Sequence, residues 1–321
     1  MLKPGTLIEG TIRSMRRGRG ILHYGKDTVF VQHALPGERV KVRIGKRLHD
    51  GYSAGLTAVC KAHPDRVSPP CPLYGRCGSC QLMHLSYEGQ LRWKKEQISR
   101  EAKKAGLPLQ VHDVIGMKDP YHYRNKMIIG FGRDEKGQLC AGLYEEFTHH
   151  IVPYRRCLMH PEHGDDIIAT ILTLMKKLRI EPYDERRRRG FLRHVLLRMT
   201  HDGSAVLVTL VCSDDRFPAR KAFVSELVHR HPDIHTIVLN VNRRQTSVVL
   251  GQEERILYGP GIITDELLGH TFALSASSFY QINHLQCERL YAQAYALLQP
   301  TEDMRVLDAY CGIGTIGLGI A

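Results

Sequence analysis

The sequence predicts a multidomain fold in three pieces: an N-terminal β-barrel, an α+β central domain with a cysteine loop, and the start of a doubly wound, Rossmann-like sheet. Three observations predict it. Short alternating runs broken by Gly and Pro fill residues 1–60. Strand and helix patterns mix from about Tyr121 to Gly269. A strand-like run enters a glycine-rich turn at the C-terminal end, as nucleotide crevices of open α/β sheets do. At 321 residues the chain exceeds what one hydrophobic core usually holds, so several domains are expected.

Composition narrows the function classes. The 43% hydrophobic and 24% charged residues are ordinary for a globular chain, and no apolar run approaches the roughly 18 residues of a membrane span. Membrane insertion is not expected. Forty-five Lys and Arg against 33 Asp and Glu give a net charge of +12, which suits a phosphate-bearing partner, although many intracellular proteins are simply basic. Nine cysteines, an odd number, and a start without an apolar leader point to a reducing cytoplasm. A monomer is expected.

In the first piece, Gly5 to Ile12, Gly20 to Tyr24, Thr28 to Gln32 and Arg39 to Ile44 read as strands. Val40, Val42 and Ile44 alternate with Arg39, Lys41 and Arg43, so one wall is apolar and the other cationic. Such a face can track a phosphate backbone or simply be solvated. Ala34-Leu-Pro-Gly-Glu-Arg-Val40, after Val29-Phe-Val31 and together with the Gly18-Arg-Gly-Ile21 turn, resembles a TRAM domain, an RNA-binding barrel appended to RNA-modifying enzymes.

Cys71, Cys77 and Cys80 follow, spaced Cys-x5-Cys-x2-Cys among Gly and Pro. Clustered thiols on a short loop can wrap a soft metal or a cluster, and three ligands lack only a fourth. Cys157 is the candidate, and a zinc site completed by Cys157 or His84 is the alternative to iron. Ser86 then offers an N-cap to a helix over 87–106. This helix is a candidate to pack on the last piece.

The middle of the chain reads as mainly antiparallel strands at Met127 to Gly132, Ala141 to Tyr144, Val195 to Met199, Ala205 to Val211 and Thr236 to Val241, with a helix over Asp165 to Leu178. Arg186 to Arg189 place four cations together, suiting phosphate contact or a mobile surface loop. Finally, Met304 to Ala321 reads as a buried strand, a turn and a helix start. Gly312 and Gly314 let main chain approach a ligand, and Asp308 can orient polar groups at the strand's end. The Asp-x-x-x-Gly-x-Gly form points to S-adenosyl-L-methionine rather than a nicotinamide.

The order of these motifs, with Tyr123-Arg-Asn-Lys126, Gly190 to Arg198 and Ser278-Phe-Tyr-Gln-Ile-Asn283 between them, resembles the RNA uracil-C5 methyltransferase family over the whole chain. The TRAM-like barrel and cysteine cluster resemble the branch acting on 23S ribosomal RNA. This resemblance implies that Cys71, Cys77, Cys80 and Cys157 hold a structural 4Fe-4S cluster. It further implies that Gln281 contacts the methyl donor and that Tyr310 lines its pocket. Thr315 stands where relatives often carry Asn. The implied domains are 1–60, a TRAM barrel; 61–270, the cluster-bearing α+β domain; and 271–321, the beginning of the methyltransferase domain.

Chemistry says what such an enzyme requires. Uracil C5 is a weak nucleophile, so the family adds a cysteine thiolate to C6, transfers methyl to C5, and removes the C5 proton with a base. The sequence stops at Ala321, before the positions where relatives carry nucleophile and base, so no catalytic residue is assigned and the chain is expected to be inactive as it stands. Cys311, in the glycine turn, and Cys287, on the helix after Asn283, read as packing residues. The competing reading is a non-catalytic RNA-binding iron–sulfur or zinc module. A radical methylthiotransferase is disfavoured, because its Cys-x3-Cys-x2-Cys pattern is absent.

Overall fold

The computed structural model describes residues 2–320, which form two compact units divided between Lys118 and Asp119. Met1 and Ala321, the ends of the first and last runs read above, lie outside the described residues.

The first unit carries β1 (Leu7–Thr11), β2 (Ser14–Arg16), β3 (Arg19–Tyr24), β4 (Asp27–Gln32), β5 (Arg39–Leu48), β6 (Gly51–Lys61) and α1 (Tyr87–Lys104). Its six strands form a half-barrel in the order β1-β5-β6-β4-β3-β2, antiparallel except where β4 meets β6. Gly25, with φ 59°, takes the left-handed conformation that lets a two-residue loop join β3 to β4. Along β5 the predicted alternation holds: Val40, Val42 and Ile44 are buried while Arg39, Lys41 and Arg43 are exposed. Leu22, Val29 and Val31 complete the apolar interior.

Helix α1 begins where predicted. The Ser86 hydroxyl accepts from the Gly89 amide at 3.1 Å, Glu88 sits at the positive end, and Lys103 and Lys104 at the negative end. Met15 and Leu35 of the half-barrel bury themselves against Leu85 at the helix entry, with Leu82 and Trp93 beside them. A buried ion pair closes the same junction. The Glu38 carboxylate, wholly buried, accepts from Arg66 Nη2 at 2.7 Å and from the Leu35 amide at 2.8 Å. Burial works against the Glu38 charge, yet these partners leave its pKa below the usual carboxylate value.

The second unit contains β7 (Lys126–Arg133), β8 (Leu139–Tyr144), β9 (Ile151–Pro153), α2 (Glu162–Lys177), β10 (Leu192–Met199), β11 (Val206–Cys212), α3 (Arg220–Arg230) and β12 (Ile234–Val241). It continues with β13 (Glu253–Tyr258), β14 (Ile263–Leu267), β15 (His270–Leu274) and α4 (His284–Leu298). Seven strands form one sheet in the order β13-β12-β11-β10-β7-β8-β9. All pairs are antiparallel except β11 with β12, which α3 connects as a crossover.

Strands β10 and β11 are buried along their whole length because both faces of the sheet are covered. Val195, Leu197 and Met199 join Val206, Val208 and Leu210 in the core with Ile167 and Ile171 of α2 and Phe223 of α3. Full burial of each such aliphatic side chain stabilises by about 1.5–3 kcal/mol. On the opposite face, Leu207 meets a second core built from Phe272 and Leu274 of β15, Tyr280, and Cys287 and Tyr291 of α4.

One predicted element is corrected. Residues 304–308 form no strand, and Leu307 is 88% exposed. A buried parallel strand exists only through its ladder partners, and among the described residues no strand pairs with this segment. The expected helix start is also a run of turns, held by bonds such as Leu318 N–H to Gly314 C=O at 3.0 Å.

Candidate functional site

The residues read as a cofactor site lie on two segments of the second unit, the loop 275–283 and the turn 308–317. The loop is pinned from the sheet. Asn125, at the entry to β7, donates its side-chain amide to the Gln281 carbonyl at 2.9 Å and its backbone N–H to the Ile282 carbonyl at 3.0 Å. Arg198 of β10, fully buried, donates Nη2–H to the Ser278 carbonyl at 2.6 Å. Burial pulls the Arg198 pKa down, and nearby Tyr280 and Asp265 oppose that pull. The Asn283 side chain then accepts from the Gln286 amide at 3.1 Å and so starts α4.

Two tyrosines of α4 hold the turn. Tyr291 and Thr315 share a hydroxyl hydrogen bond of 3.0 Å, and Tyr295 donates to the Ile316 carbonyl at 3.0 Å. Burial raises the Tyr291 pKa, which hydrogen bonding to the Thr315 and Gln281 side chains partly offsets. Tyr291 therefore links two residues that the sequence nominated separately. Asp308 accepts from the Gly317 amide at 3.0 Å and closes the turn on itself.

Gly312 and Gly314 have φ of 60° and 80°, conformations that glycine adopts without strain, and a side chain built on Gly312 would meet nothing within 4 Å. Tyr310 is fully exposed, with φ 64°. The structure thus brings Gln281 and Thr315 together through Tyr291, sets Asp308, Gly312 and Gly314 in one adjoining turn, and leaves Tyr310 open to solvent. Sequence reasoning gives no role to Asn125, Arg198 or Tyr291, although the first two lie in the motifs Tyr123-Arg-Asn-Lys126 and Gly190 to Arg198. Cys287 is buried and its thiol is pushed up by that burial, while Cys311 is exposed in the turn.

The four proposed thiol ligands divide between the units. In the first, Cys71, Cys77 and Cys80 are half-buried on a loop of consecutive turns, where the Cys77 amide donates to the Leu73 carbonyl at 2.9 Å. His84, the alternative ligand, is buried with Nδ1 against the Tyr74 hydroxyl and Nε2 without a hydrogen-bond partner. Burial and the Arg66 charge depress its pKa to about 4. In the second unit Cys157 is half-buried after β9, and its thiol lies below the ordinary cysteine value. Burial pushes that thiol up, and hydrogen bonding and charge from His160 more than reverse this.

Among the described residues, the sets of three ligand atoms within 4.8 Å of one another are His163, His231 and Asp233, and His201, Asp265 and His284. The cysteine loop is in neither. The His201 and His284 rings stack 4.2 Å apart at an interplanar angle of 8°, which keeps their in-plane lone pairs from converging on one ion.

The cationic face of β5 carries its own counter-charge. Glu9 of β1 accepts from Arg39 at 2.6 Å and lies 4.0 Å from Lys41. Arg186 to Arg189 are exposed on a turn in which Asp184 accepts from the Arg186 and Arg187 amides. No described helix is long and apolar enough to cross a membrane.

No family model matches the chain. Whole sequences do. The chain is 38% identical over 324 residues to an uncharacterized RNA methyltransferase of Listeria monocytogenes, covering 100% of this chain and 71% of that protein. It is 37% identical over 319 residues to an uncharacterized RNA methyltransferase of Halalkalibacterium halodurans, covering 98% and 69%. For one from Staphylococcus aureus the figures are 34% over 322 residues, covering 100% and 70%. The chain belongs to this family of RNA methyltransferases. The crystal structure of Pyrococcus abyssi tRNA (uracil-54, C5)-methyltransferase in complex with S-adenosyl-L-homocysteine shares its fold, with a TM-score of 0.75, 23% identity, and coverage of 96% of this chain and 69% of that one.

Proposed function

We propose that the chain serves S-adenosyl-L-methionine-dependent methylation of uridine C5 in 23S ribosomal RNA. The observation that carries this reading is the junction at Tyr291, where the Gln281 loop and the Thr315 turn meet through one hydroxyl. Family membership supports methyl transfer to RNA, and the shared fold supports a uracil-C5 enzyme that handles the same donor. When bound, S-adenosyl-L-methionine supplies an electrophilic methyl group on sulfonium. Gln281, Asp308, Tyr310, Gly312, Gly314 and Thr315 are the residues proposed to hold it. The left-handed glycines and the open space at Gly312 fit close backbone approach to a ligand. Attack on uracil C6 by a cysteine thiolate belongs to the proposal, and neither Cys287 nor Cys311 is assigned that role.

Cys71, Cys77, Cys80 and Cys157 are proposed as ligands of a structural 4Fe-4S cluster. Three half-buried cysteines clustered on one loop of turns, with a fourth half-buried cysteine after β9, fit that donor set by their chemistry. The residue 1–60 segment is proposed as an RNA-binding TRAM barrel, with Arg39, Lys41 and Arg43 facing phosphates. The barrel and the thiol set are also the features that favour 23S ribosomal RNA over transfer RNA. The three-part division at 60 and 270 is kept as part of this proposal, as are a monomeric state and a cytoplasmic location.

The test has two steps. Calorimetry should detect S-adenosyl-L-methionine binding that Gln281→Ala weakens. Cells fed labelled methionine, with and without the gene, should then carry the gene-dependent labelled 5-methyluridine in 23S ribosomal RNA rather than in transfer RNA. Label only in transfer RNA would overturn the ribosomal assignment. RNA binding with no donor binding would favour a non-catalytic RNA-binding module.

A further inference from the structure

The segment around Cys157 is held far more firmly than an ordinary loop cysteine would need. Asp165 lies in the first turn of α2 with its side chain 1% exposed. A carboxylate there could bond the free amides of its own helix, and α2 has no side-chain cap. Instead both oxygens turn back to the Cys157 segment. Oδ2 accepts from the Cys157 amide at 2.8 Å, and Oδ1 is 3.1 Å from His160 Nδ1. The same imidazole stands beside the Cys157 sulfur.

The segment is closed and latched from outside. The His160 amide donates to the Cys157 carbonyl at 3.1 Å. His122 holds it at two points, with Nδ1 on the His160 carbonyl at 2.6 Å and its own amide on the Leu158 carbonyl at 2.7 Å. The Tyr154 ring stands edge-on to His160, with centroids 5.8 Å apart. A buried acid is costly unless its lone pairs are taken, and here one Asp165 oxygen takes the Cys157 amide and the other faces the His160 ring.

We infer that Asp165 is the positioning residue for Cys157, fixing both its backbone and, through His160, the direction of its sulfur, so that Cys157 is presented as a ligand to the cluster. This inference rests on the reading of Cys157 as a cluster ligand. It adds to that reading the groups that orient the ligand and the donor that would bond its sulfur. Partners of this kind set metal affinity, and a hydrogen bond to a ligand sulfur shifts the electronic state of an iron–sulfur centre.

The test uses the full chain, reconstituted anaerobically with iron and sulfide. The readouts are iron and sulfide per chain, the charge-transfer absorption, the electron paramagnetic resonance spectrum after reduction, and the rate of iron loss to a chelator. The variants are Asp165→Asn, His160→Gln, Cys157→Ser and, as a control on the exposed neighbour that pairs with Arg156, Asp166→Asn. Circular dichroism checks folding, and His160→Gln carries the test if Asp165→Asn does not fold. We expect Asp165→Asn and His160→Gln to lose iron about 10–100-fold faster, His160→Gln to alter the resonance spectrum, and Asp166→Asn to match the parent. If Cys157→Ser loses the cluster while both positioning variants retain parental iron, loss rate and spectrum, the inference is overturned and the ligand reading survives. A parent chain that takes up no iron, or Cys157→Ser with a full cluster, would overturn both.

Discussion

Acid should weaken the second unit through His194, and the size of the effect follows from the fold. His194 sits on β10, buried, with Nε2 2.9 Å from the Tyr144 hydroxyl and Nδ1 without a hydrogen-bond partner. Burial, helped by the neighbouring Arg193 charge, depresses its pKa from 6.5 to about 4. The folded state therefore binds this proton less readily than the unfolded chain does. The contribution of His194 is complete above about pH 6.5 and falls as the pH drops toward 4, by about 1.4 kcal/mol per unit. Between pH 6.5 and pH 5.0 the loss is about 2 kcal/mol. His194→Gln removes the titration while leaving an amide that can meet Tyr144. Urea unfolding followed by circular dichroism at pH 7.5 and 5.0 should show about 2 kcal/mol less acid sensitivity in the variant than in the parent. Identical losses in the two proteins would refute the reasoning.

Three other predictions concern the first unit and the proposed sites. Glu38→Gln leaves the Arg66 guanidinium without its charge partner and should destabilise the half-barrel by about 3 kcal/mol, read from the fluorescence of Trp93, the single tryptophan. Tyr291→Phe removes the hydroxyl between Thr315 and Gln281 and should weaken S-adenosyl-L-methionine binding by about 1 kcal/mol, roughly fivefold by calorimetry, with little change in melting temperature. Joint replacement of Arg39, Lys41 and Arg43 by Ala should lower RNA affinity and reduce the slope of log K against log salt by about 2, as for three phosphate contacts on a single strand; an unchanged slope would remove this face from the RNA interface.

Elements that carry their own local signal were legible in the sequence. Helix α1 has its cap, and β5 has its alternation. Strand β11 carries a nearly unbroken apolar run and β10 a shorter one at Val195 to Leu197. Strand β6 was not found, because Gly51, Ala54, Gly55 and Ala58 dilute its pattern and its pairing with β4 is long-range. Strand β9, three residues long, and the charged β13 carry too little apolar signal to stand out. The run at 304–308 misled for the opposite reason: its apolar pattern is that of a buried strand, and such a strand needs neighbours that no local pattern supplies. At the site, Gln281 and Thr315 could be nominated from motifs. Asn125 reaches the Gln281 loop across 156 positions and Arg198 the Ser278 carbonyl across 80, so their roles emerge only from tertiary contact.

The ends of the seven-stranded sheet bear on how the protein behaves when concentrated. A border strand with open amides and carbonyls invites another chain to extend the ladder, and that is a common route to aggregation. Here one border is β9, very short and finished by Pro153, which has no amide hydrogen to offer. The other is β13, where Glu253, Glu254 and Arg255 put three charged side chains in a row along the edge. Both margins thus discourage stacking of one molecule on the next, which helps a strongly basic, strand-rich chain stay dispersed at the concentrations that binding assays demand.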